Sequence, residues 1–328
     1  MFILKIMELK TNILIIKRVL LSGIFVFIFC LIKGQQTPLS PISYWVFTPY
    51  IYNPAIVGSK DFLSIGVNAA FQGKSNTQLI SGNARLSKTK SGYFSSPDIT
   101  EFKNAGIGGS VYKNVDGFSR NIGISCSGSY QIPLNTRKLS FISFGASVKV
   151  GHHTINNDSR LENSLKKTFY PNFDLGIYYY GTNFFTGVSS INLLGSPWET
   201  DTLGLYKVPV SRQYFFTAGY KFLLSKSLNI VLEPSVLVSA TDSTLRKTKD
   251  NFNPIIKLYL GDFCLGTSFR PGGKISFFLQ FRYPRFYVGA FYEIPKKTPY
   301  FKSSPVVEFT IGINIQKDKS RLSNHSHW

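Results

Sequence analysis

The residues best suited to chemistry in this sequence are charged side chains that recur within segments of alternating polarity. Because successive side chains of a strand point to opposite faces, nine of these charges fall on the polar face of their segments. Two interpretations stay open: the charges form rings that select ions, or they pair with one another and fill an interior. Both signs are well represented, which favours pairing. The nine residues are Arg85, Lys149, Asp174, Lys221, Glu233, Lys257, Arg282, Glu293 and Glu308.

No combination of residues predicts catalysis or a metal site. His152 and His153 are adjacent, so on a strand they face opposite sides and cannot share one metal ion. The run GIGG at 106–109 lacks the Lys-Ser/Thr ending and the helical setting of a phosphate-binding loop. The same alternation points Cys126 outward and Cys264 inward, so we expect no disulfide between them. We therefore predict that the protein is not an enzyme and holds no cofactor.

Segments with a period of two dominate the chain from Phe62 onward, and this period predicts strands with one apolar face. From Ile142 to Val150, apolar side chains at even positions alternate with serine, glycine and lysine at odd positions. We predict an all-β fold, a transmembrane antiparallel β-barrel of about 14 strands within residues 62–316. The segments begin near residues 62, 77, 105, 118, 139, 169, 183, 212, 227, 252, 263, 275, 285 and 305.

A soluble β-sandwich is the alternative, because sandwich strands alternate in the same way. Segment length favours the barrel, since the segments run close to the 9–11 residues or so that a tilted membrane strand needs. Aromatic residues at the ends of the apolar faces also suit the interfacial girdles of membrane barrels. These aromatic residues are Tyr130, Phe169, Tyr214, Tyr220, Tyr283 and Tyr292.

The connections predict the orientation of the barrel. Outer-membrane barrels have short periplasmic turns and long outer loops, which indicates that both termini lie in the periplasm. Three connections depart from this rule: 116–117 and 271–274 are short on the outer side, and 88–104 is long on the periplasmic side. The tight links lie at 181–182, 224–226, 261–262 and 284, and the long ones at 153–168, 194–211, 241–251 and 295–304.

The first 35 residues are typical of a signal peptide, because a fourteen-residue apolar run, Val19 to Ile32, follows several basic residues. An uncleaved anchor is the alternative, although the run is short for a membrane span. Removal of residues 1–35 lowers the net charge from +20 to +16. The remaining basic residues are scattered, so we expect no nucleic-acid partner. Residues 36–61 form a separate N-terminal segment, and residues 317–328 form a polar tail.

Several motifs resemble those of one known family. Residues 50–72 carry an NPA-x-x-G pattern that leads into the first predicted strand, and residues 170–193, 232–238, 265–273 and 288–295 carry further matches in order. Together they resemble the PorP/SprF family of type IX secretion membrane proteins. The positions that match the family's signature are Asn53, Pro54, Ala55, Gly58, Pro171, Gly176, Asn192 and Pro234.

The resemblance implies an outer-membrane barrel in a Bacteroidota-like cell, surrounded by outer-membrane lipid. The resemblance also implies that the protein acts together with periplasmic ring components of the secretion or gliding machinery. It further implies that the protein assists the export or surface attachment of a large adhesin. A passive porin or uptake channel is the alternative function.

The stretch YIYNPAIVGS, residues 50–59, predicts a rigid entry into the first strand. Pro54 biases Asn53 to an extended shape, and Gly58 permits a sharp turn. We expect residues 36–60 to cross or plug the periplasmic mouth, with five aromatic side chains packed inside. A loose periplasmic leader is the alternative. The aromatic residues are Tyr44, Trp45, Phe47, Tyr50 and Tyr52.

Overall fold

The computed structural model describes residues 43–60, 62–73, 75–86, 104–116, 119–135, 139–155, 166–195, 198–201, 204–207, 212–242, 251–270, 273–283, 285–295 and 304–315. The expected signal peptide, residues 36–42 and the polar tail lie outside the described residues. The domain boundaries expected in those regions stay predictions.

The described residues form seventeen strands and three short helical turns. The strands are β1 Leu63–Gln72, β2 Ser75–Arg85, β3 Ala105–Asp116, β4 Ser119–Asn135, β5 Ser140–Ile155, β6 Lys166–Tyr180, β7 Phe184–Ile191, β8 Trp198–Asp201, β9 Gly204–Lys207, β10 Gln213–Tyr220, β11 Phe222–Ser225, β12 Ile230–Thr241, β13 Phe252–Leu260, β14 Phe263–Arg270, β15 Lys274–Tyr283, β16 Phe286–Ile294 and β17 Val306–Ile315. The helical turns are α1 Ser43–Phe47, η1 Pro49–Ile51 and η2 Pro54–Ile56. Among the described residues, no helix is long and apolar enough to cross a bilayer.

One closed antiparallel sheet contains all of these strands except β8 and β9. The sheet closes because β17 pairs with β1 on one side and β10 pairs with both β7 and β12 on the other. Strands β10 and β11 keep one register against β12 as far as Leu223, so together they count as one strand of the barrel. The prediction of a 14-strand barrel is therefore confirmed, and the soluble sandwich is wrong. Each of the fourteen predicted segments begins within three residues of an observed strand.

The alternation of side chains divides the wall into an outer apolar face and an inner polar face. On β5, Val148 is 64% exposed on the outer face, whereas its neighbour Ser147 is 4% exposed on the inner face. An apolar surface of this kind, repeated around a closed wall, suits contact with lipid tails. Cys126 is exposed on the outer face and Cys264 is buried on the inner face, as the sequence predicts.

The two ends of the barrel differ in their connections. Tight links at 181–183, 226–229, 261–262 and 284–285 lie at the end that also carries both ends of the barrel chain, which we call the turn end. The opposite end, the loop end, carries the long connections 156–165, 192–212, 242–251 and 295–305. The three predicted exceptions persist, since short links follow β3 and β14 at the loop end and residues 86–104 connect β2 to β3 at the turn end.

Aromatic rings on the inner face cover glycines on the adjacent strand. Tyr112 of β3 lies directly opposite Gly123 of β4, and a Cβ on that glycine would come within 2.5 Å of the ring. Glycine leaves the space that each ring occupies, as in the aromatic rescue of glycines used in designed sheets. The same arrangement joins Tyr170 to Gly151, Tyr178 to Gly187, Phe185 to Gly219, Phe278 to Gly266 and Tyr287 to Gly312.

Candidate functional site

Residues 43–60, which we call the luminal segment, lie inside the barrel and contain all three helical turns. Asn53 begins η2 in an extended conformation, and its Oδ1 accepts a hydrogen bond of 3.0 Å from the Ala55 backbone N–H. This is an ordinary N-cap, because the side chain satisfies a donor that the first helical turn leaves free. Pro54 occupies the first turn of η2, where its missing N–H costs nothing. The NPA motif is therefore a capped turn.

The side chain of Asn53 also contacts the wall where β6 and β7 meet. Its Nδ2 donates to the Ile177 carbonyl at 3.1 Å and to the Val188 carbonyl at 3.4 Å. These two residues are direct partners in the β6–β7 ladder, so one amide group bridges both strands. A Cβ on Gly176 would lie 2.0 Å from Asn53 Oδ1. The signature residues Asn53 and Gly176 therefore fit together across the lumen wall.

Polar side chains of the inner wall satisfy the carbonyl groups of the luminal segment. Ser143 Oγ donates to the Ala55 carbonyl at 2.7 Å, and Ser129 Oγ donates to the Val57 carbonyl at 2.6 Å. Buried carbonyl groups without such partners would destabilise the docked conformation. The same wall supplies Ser189 Oγ to the Tyr52 carbonyl at 2.5 Å and Gln131 Nε2 to the Val57 carbonyl at 3.1 Å.

Glycines of the wall allow the backbone of the luminal segment to approach closely. A Cβ on Gly145 of β5 would lie 2.3 Å from the Ala55 nitrogen, and one on Gly106 of β3 would lie 2.5 Å from the Val57 carbonyl oxygen. Gly58 has a φ of +66° and lies against Gly106, so both its conformation and its surroundings require glycine. The signature glycine at position 58 ends the docked turn.

The luminal segment spans the full width of the barrel. Asn53 contacts β6 and β7, whereas the Phe47 ring would lie 2.7 Å from a Cβ on Gly289 of β16. Strands β6 and β16 are seven positions apart in the ring of fourteen, so they face each other. Trp45, Tyr50 and Tyr52 are buried between these walls. The described residues give no account of the Tyr44 side chain.

A small cavity of about 50 Å³ lies beside Tyr50, and Lys60, Arg282 and Tyr287 contribute to its lining. Burial raises the pKa of Tyr50 to about 12. The hydroxyl therefore stays protonated at neutral pH. A cavity of this size accommodates water, not an organic ligand.

Most of the nine predicted charges have counter-charges or polar partners on the inner face. Lys149 Nζ lies 2.7 Å from Asp174 Oδ2. Glu233 lies 3.0 Å from Lys257 Nζ and 3.9 Å from Lys221 Nζ, and it also accepts a 3.0 Å hydrogen bond from Tyr259 Oη.

Two of the predicted charges have neutral polar partners. Arg85 donates hydrogen bonds to Gln131 and to Tyr180, and Glu308 accepts one from Asn68 Nδ2 at 3.2 Å. These contacts bind strands together and leave no ring of one charge sign among the described residues.

Glu293 has two basic partners that the sequence reasoning missed. Arg270 Nη1 lies 3.0 Å from its Oε2, and Lys274 Nζ lies 3.6 Å from its Oε1. The sequence places Lys274 in the connection 271–274 and makes no prediction for Arg270, yet Arg270 is the last residue of β14 and Lys274 the first of β15. Counting alternation from Cys264 and Ser276 to the strand ends would have predicted both inward positions.

Three further signature residues lie in the wall. Pro171 lies on β6 beyond the point where β7 stops pairing, a position that tolerates a missing backbone N–H. Asn192 has a φ of +57°, and its N–H donates to Asp174 Oδ1 at 2.9 Å, which fixes the chain as it leaves β7. Pro234 lies on β12 next to Glu233, and the interruption between β10 and β11 falls at Lys221, opposite this point of β12. The described residues contain no group of three or more metal-ligating side chains.

A family model described as type IX secretion system membrane protein PorP/SprF matches residues 34–313. Among solved structures, the chain is similar to the CymD monoaromatic hydrocarbon channel, at 10% identity and a TM-score of 0.45, over 83% of this chain and 92% of that one. It is also similar to Omp33 of Acinetobacter baumannii, at 12% identity and a TM-score of 0.40, over 79% and 99% of the two chains. The KdgM porin matches at 9% identity and a TM-score of 0.37, over 78% and 99%. Similarities of this size carry no argument about activity or ligand. No curated protein matches the chain.

Proposed function

Because the chain belongs to the PorP/SprF family of type IX secretion system membrane proteins, we propose that it is an outer-membrane component of that machinery which acts by binding and not by catalysis. In this proposal the signal peptide is cleaved, the turn end faces the periplasm and the loop end faces the cell exterior. Periplasmic turns contact the ring components, and the outer loops hold a large adhesin during its export or surface attachment. The gliding machinery of a Bacteroidota cell is the setting that the family suggests.

One observation carries the proposal: the luminal segment spans the lumen from β16 to β6 and is hydrogen-bonded to the inner wall. Wall side chains and carbonyl groups of β4 to β7 hydrogen-bond residues 52–57 of the segment, and these buried contacts stabilise the docked conformation. A passive porin needs an aqueous channel. A plugged barrel instead supports a role as a rigid membrane anchor for other proteins.

The experiment that tests this proposal is a single-channel recording in planar bilayers. Full-length protein is compared with a variant that lacks residues 36–60, and heat-modifiable migration in gels checks that both barrels are folded. We expect the full-length protein to give no stable conductance and the deletion variant to give a steady one. A large steady conductance from the full-length protein would support the porin function and overturn the plug. Silence of both proteins would show that the luminal segment is not what closes the barrel.

A second experiment tests the export role in cells. The gene is deleted, and surface and culture proteins are compared with those of the parent strain by mass spectrometry. We expect the loss of one or a few large surface proteins while other exported proteins remain at parental levels. Restoration by the wild-type gene is the control. An unchanged set of surface proteins, together with slower uptake of small solutes, would favour the porin instead.

A further inference from the structure

A concave apolar groove of about 510 Å³ lies on the lipid-facing side of the wall across β6, β7, β10 and β12. Its volume is in the range of small-molecule sites, about 300–1,000 Å³. Its sides are outward-facing apolar residues that are 41–49% exposed. These residues are Leu175, Ile177, Val188 and Phe216.

The floor of the groove is low because one strand carries a small residue there. Ser190 of β7 lies directly between Leu175 of β6 and Tyr214 of β10 in the ladder. Its neighbour Ser189 points inward to the luminal segment, so Ser190 points outward. Among the described residues, the Ser190 hydroxyl is buried and has no hydrogen-bond partner. A serine in this position leaves a depression that a larger apolar residue would fill.

The rim of the groove at the loop end carries a cation. Arg212 precedes β10 on the same outward face as Tyr214 and Phe216, and it is exposed. Its Nε donates to the Leu193 carbonyl at 2.8 Å, and its side chain also interacts with Tyr214, which lines the groove. Asp242 lies beside Tyr214 and accepts a 3.0 Å hydrogen bond from the Tyr214 hydroxyl.

We propose that this groove binds one phosphate-bearing lipid of the leaflet at the loop end, with an acyl chain along Ser190 and the phosphate at Arg212. The apolar lining suits a hydrocarbon chain, and guanidinium groups bind phosphate through parallel hydrogen bonds. The exposed Arg212 and the net charge of +16 that remains after removal of residues 1–35 favour an anionic headgroup. The site lies on the outer face of the β6–β7 junction that Asn53 bridges from the inside.

Native mass spectrometry of the full chain tests the proposal. Protein purified in detergent is titrated with phosphatidylglycerol or with phosphatidylcholine, and the bound lipid is counted after release from the micelle. We expect one tightly retained phosphatidylglycerol and weaker retention of phosphatidylcholine. Ser190→Leu fills the groove and is expected to weaken binding of both lipids about tenfold or more, while Arg212→Gln is expected to remove the preference between them.

Matched variants on β4 serve as controls. Gly128→Leu adds the same apolar bulk to the lipid face at a position where a Cβ meets no atom within 4 Å. Arg120→Gln removes an exposed cation from another strand at the loop end. Both should bind lipid like the wild type. Equal lipid binding by the wild type and Ser190→Leu would overturn the site. If the wild type is dimeric and Ser190→Leu is monomeric, the proposal is also overturned, because a second copy of the chain would then occupy the groove.

Discussion

Replacement of Asn53 with alanine tests the docking of the luminal segment most directly. The change leaves the buried Ala55 N–H without its acceptor, which costs about 1–3 kcal/mol. It also removes the donor that bridges the Ile177 and Val188 carbonyls, and because both carbonyls keep their ladder bonds, this loss is smaller, about 1 kcal/mol. The docked conformation should therefore be weakened by about 2–4 kcal/mol, or roughly 30- to 1,000-fold in the undocking equilibrium.

Hydrogen exchange measured by mass spectrometry reports this equilibrium, because buried amides exchange when a segment opens locally. We expect peptides from residues 43–60 of Asn53→Ala to exchange faster by the same factor, while the strands keep their protection. Asn121→Ala is the matched control, since Asn121 accepts a 2.7 Å hydrogen bond from Tyr170 in the wall and takes no part in the docking. Unchanged exchange of residues 43–60 in Asn53→Ala would refute the claim that this side chain secures the segment.

Three further predictions follow from the wall and its faces. Gly145→Ala should displace η2 and raise the conductance in planar bilayers, because its Cβ would lie 2.3 Å from the backbone of the luminal segment. The control Gly128→Ala should give no conductance, since its Cβ meets no atom within 4 Å. Equal conductance of the two variants would contradict the close fit. Glu233→Gln should lower the free energy of unfolding in urea by about 1–3 kcal/mol, because it leaves two partly buried lysines without a counter-charge. An unchanged free energy of unfolding would argue against a structural ion pair. A fluorophore on Cys126 should be quenched by brominated lipid, while Cys264 should resist labelling; quenching by aqueous iodide instead would mean that the outer face is not in lipid.

The strands were predictable because a membrane barrel repeats one simple rule along its chain. Each strand exposes every second residue to lipid, so the pattern from Ile142 to Val150 is enough to identify β5 and its faces. The rule identifies only strands that are long enough to show a period of two. The short strands Trp198–Asp201 and Gly204–Lys207 lie in the predicted connection 194–211, and four residues are too few to establish a period.

The contacts of the luminal segment could not be predicted in the same way. The sequence indicated a rigid turn at Asn53 and Pro54, but nothing local indicates that Gly176, more than a hundred residues away, leaves room for that turn. Such a pair is brought together only when the whole sheet closes. Alternation predicts that Lys149 and Glu233 point inward, yet their partners depend on the register between neighbouring strands, which a single sequence does not provide.

The rings that lie over inner-face glycines have a consequence for how the barrel is assembled. A slip of two residues between β3 and β4 would move Tyr112 from Gly123 to Asn121 or Ser125, and either side chain would occupy the space of the ring. Each such strand pair therefore specifies its own register, and it does so before the remaining strands have paired. During assembly, hairpins could be added to the sheet one after another in the correct register. A hairpin in the wrong register would be unstable before β1 and β17 pair to close the barrel.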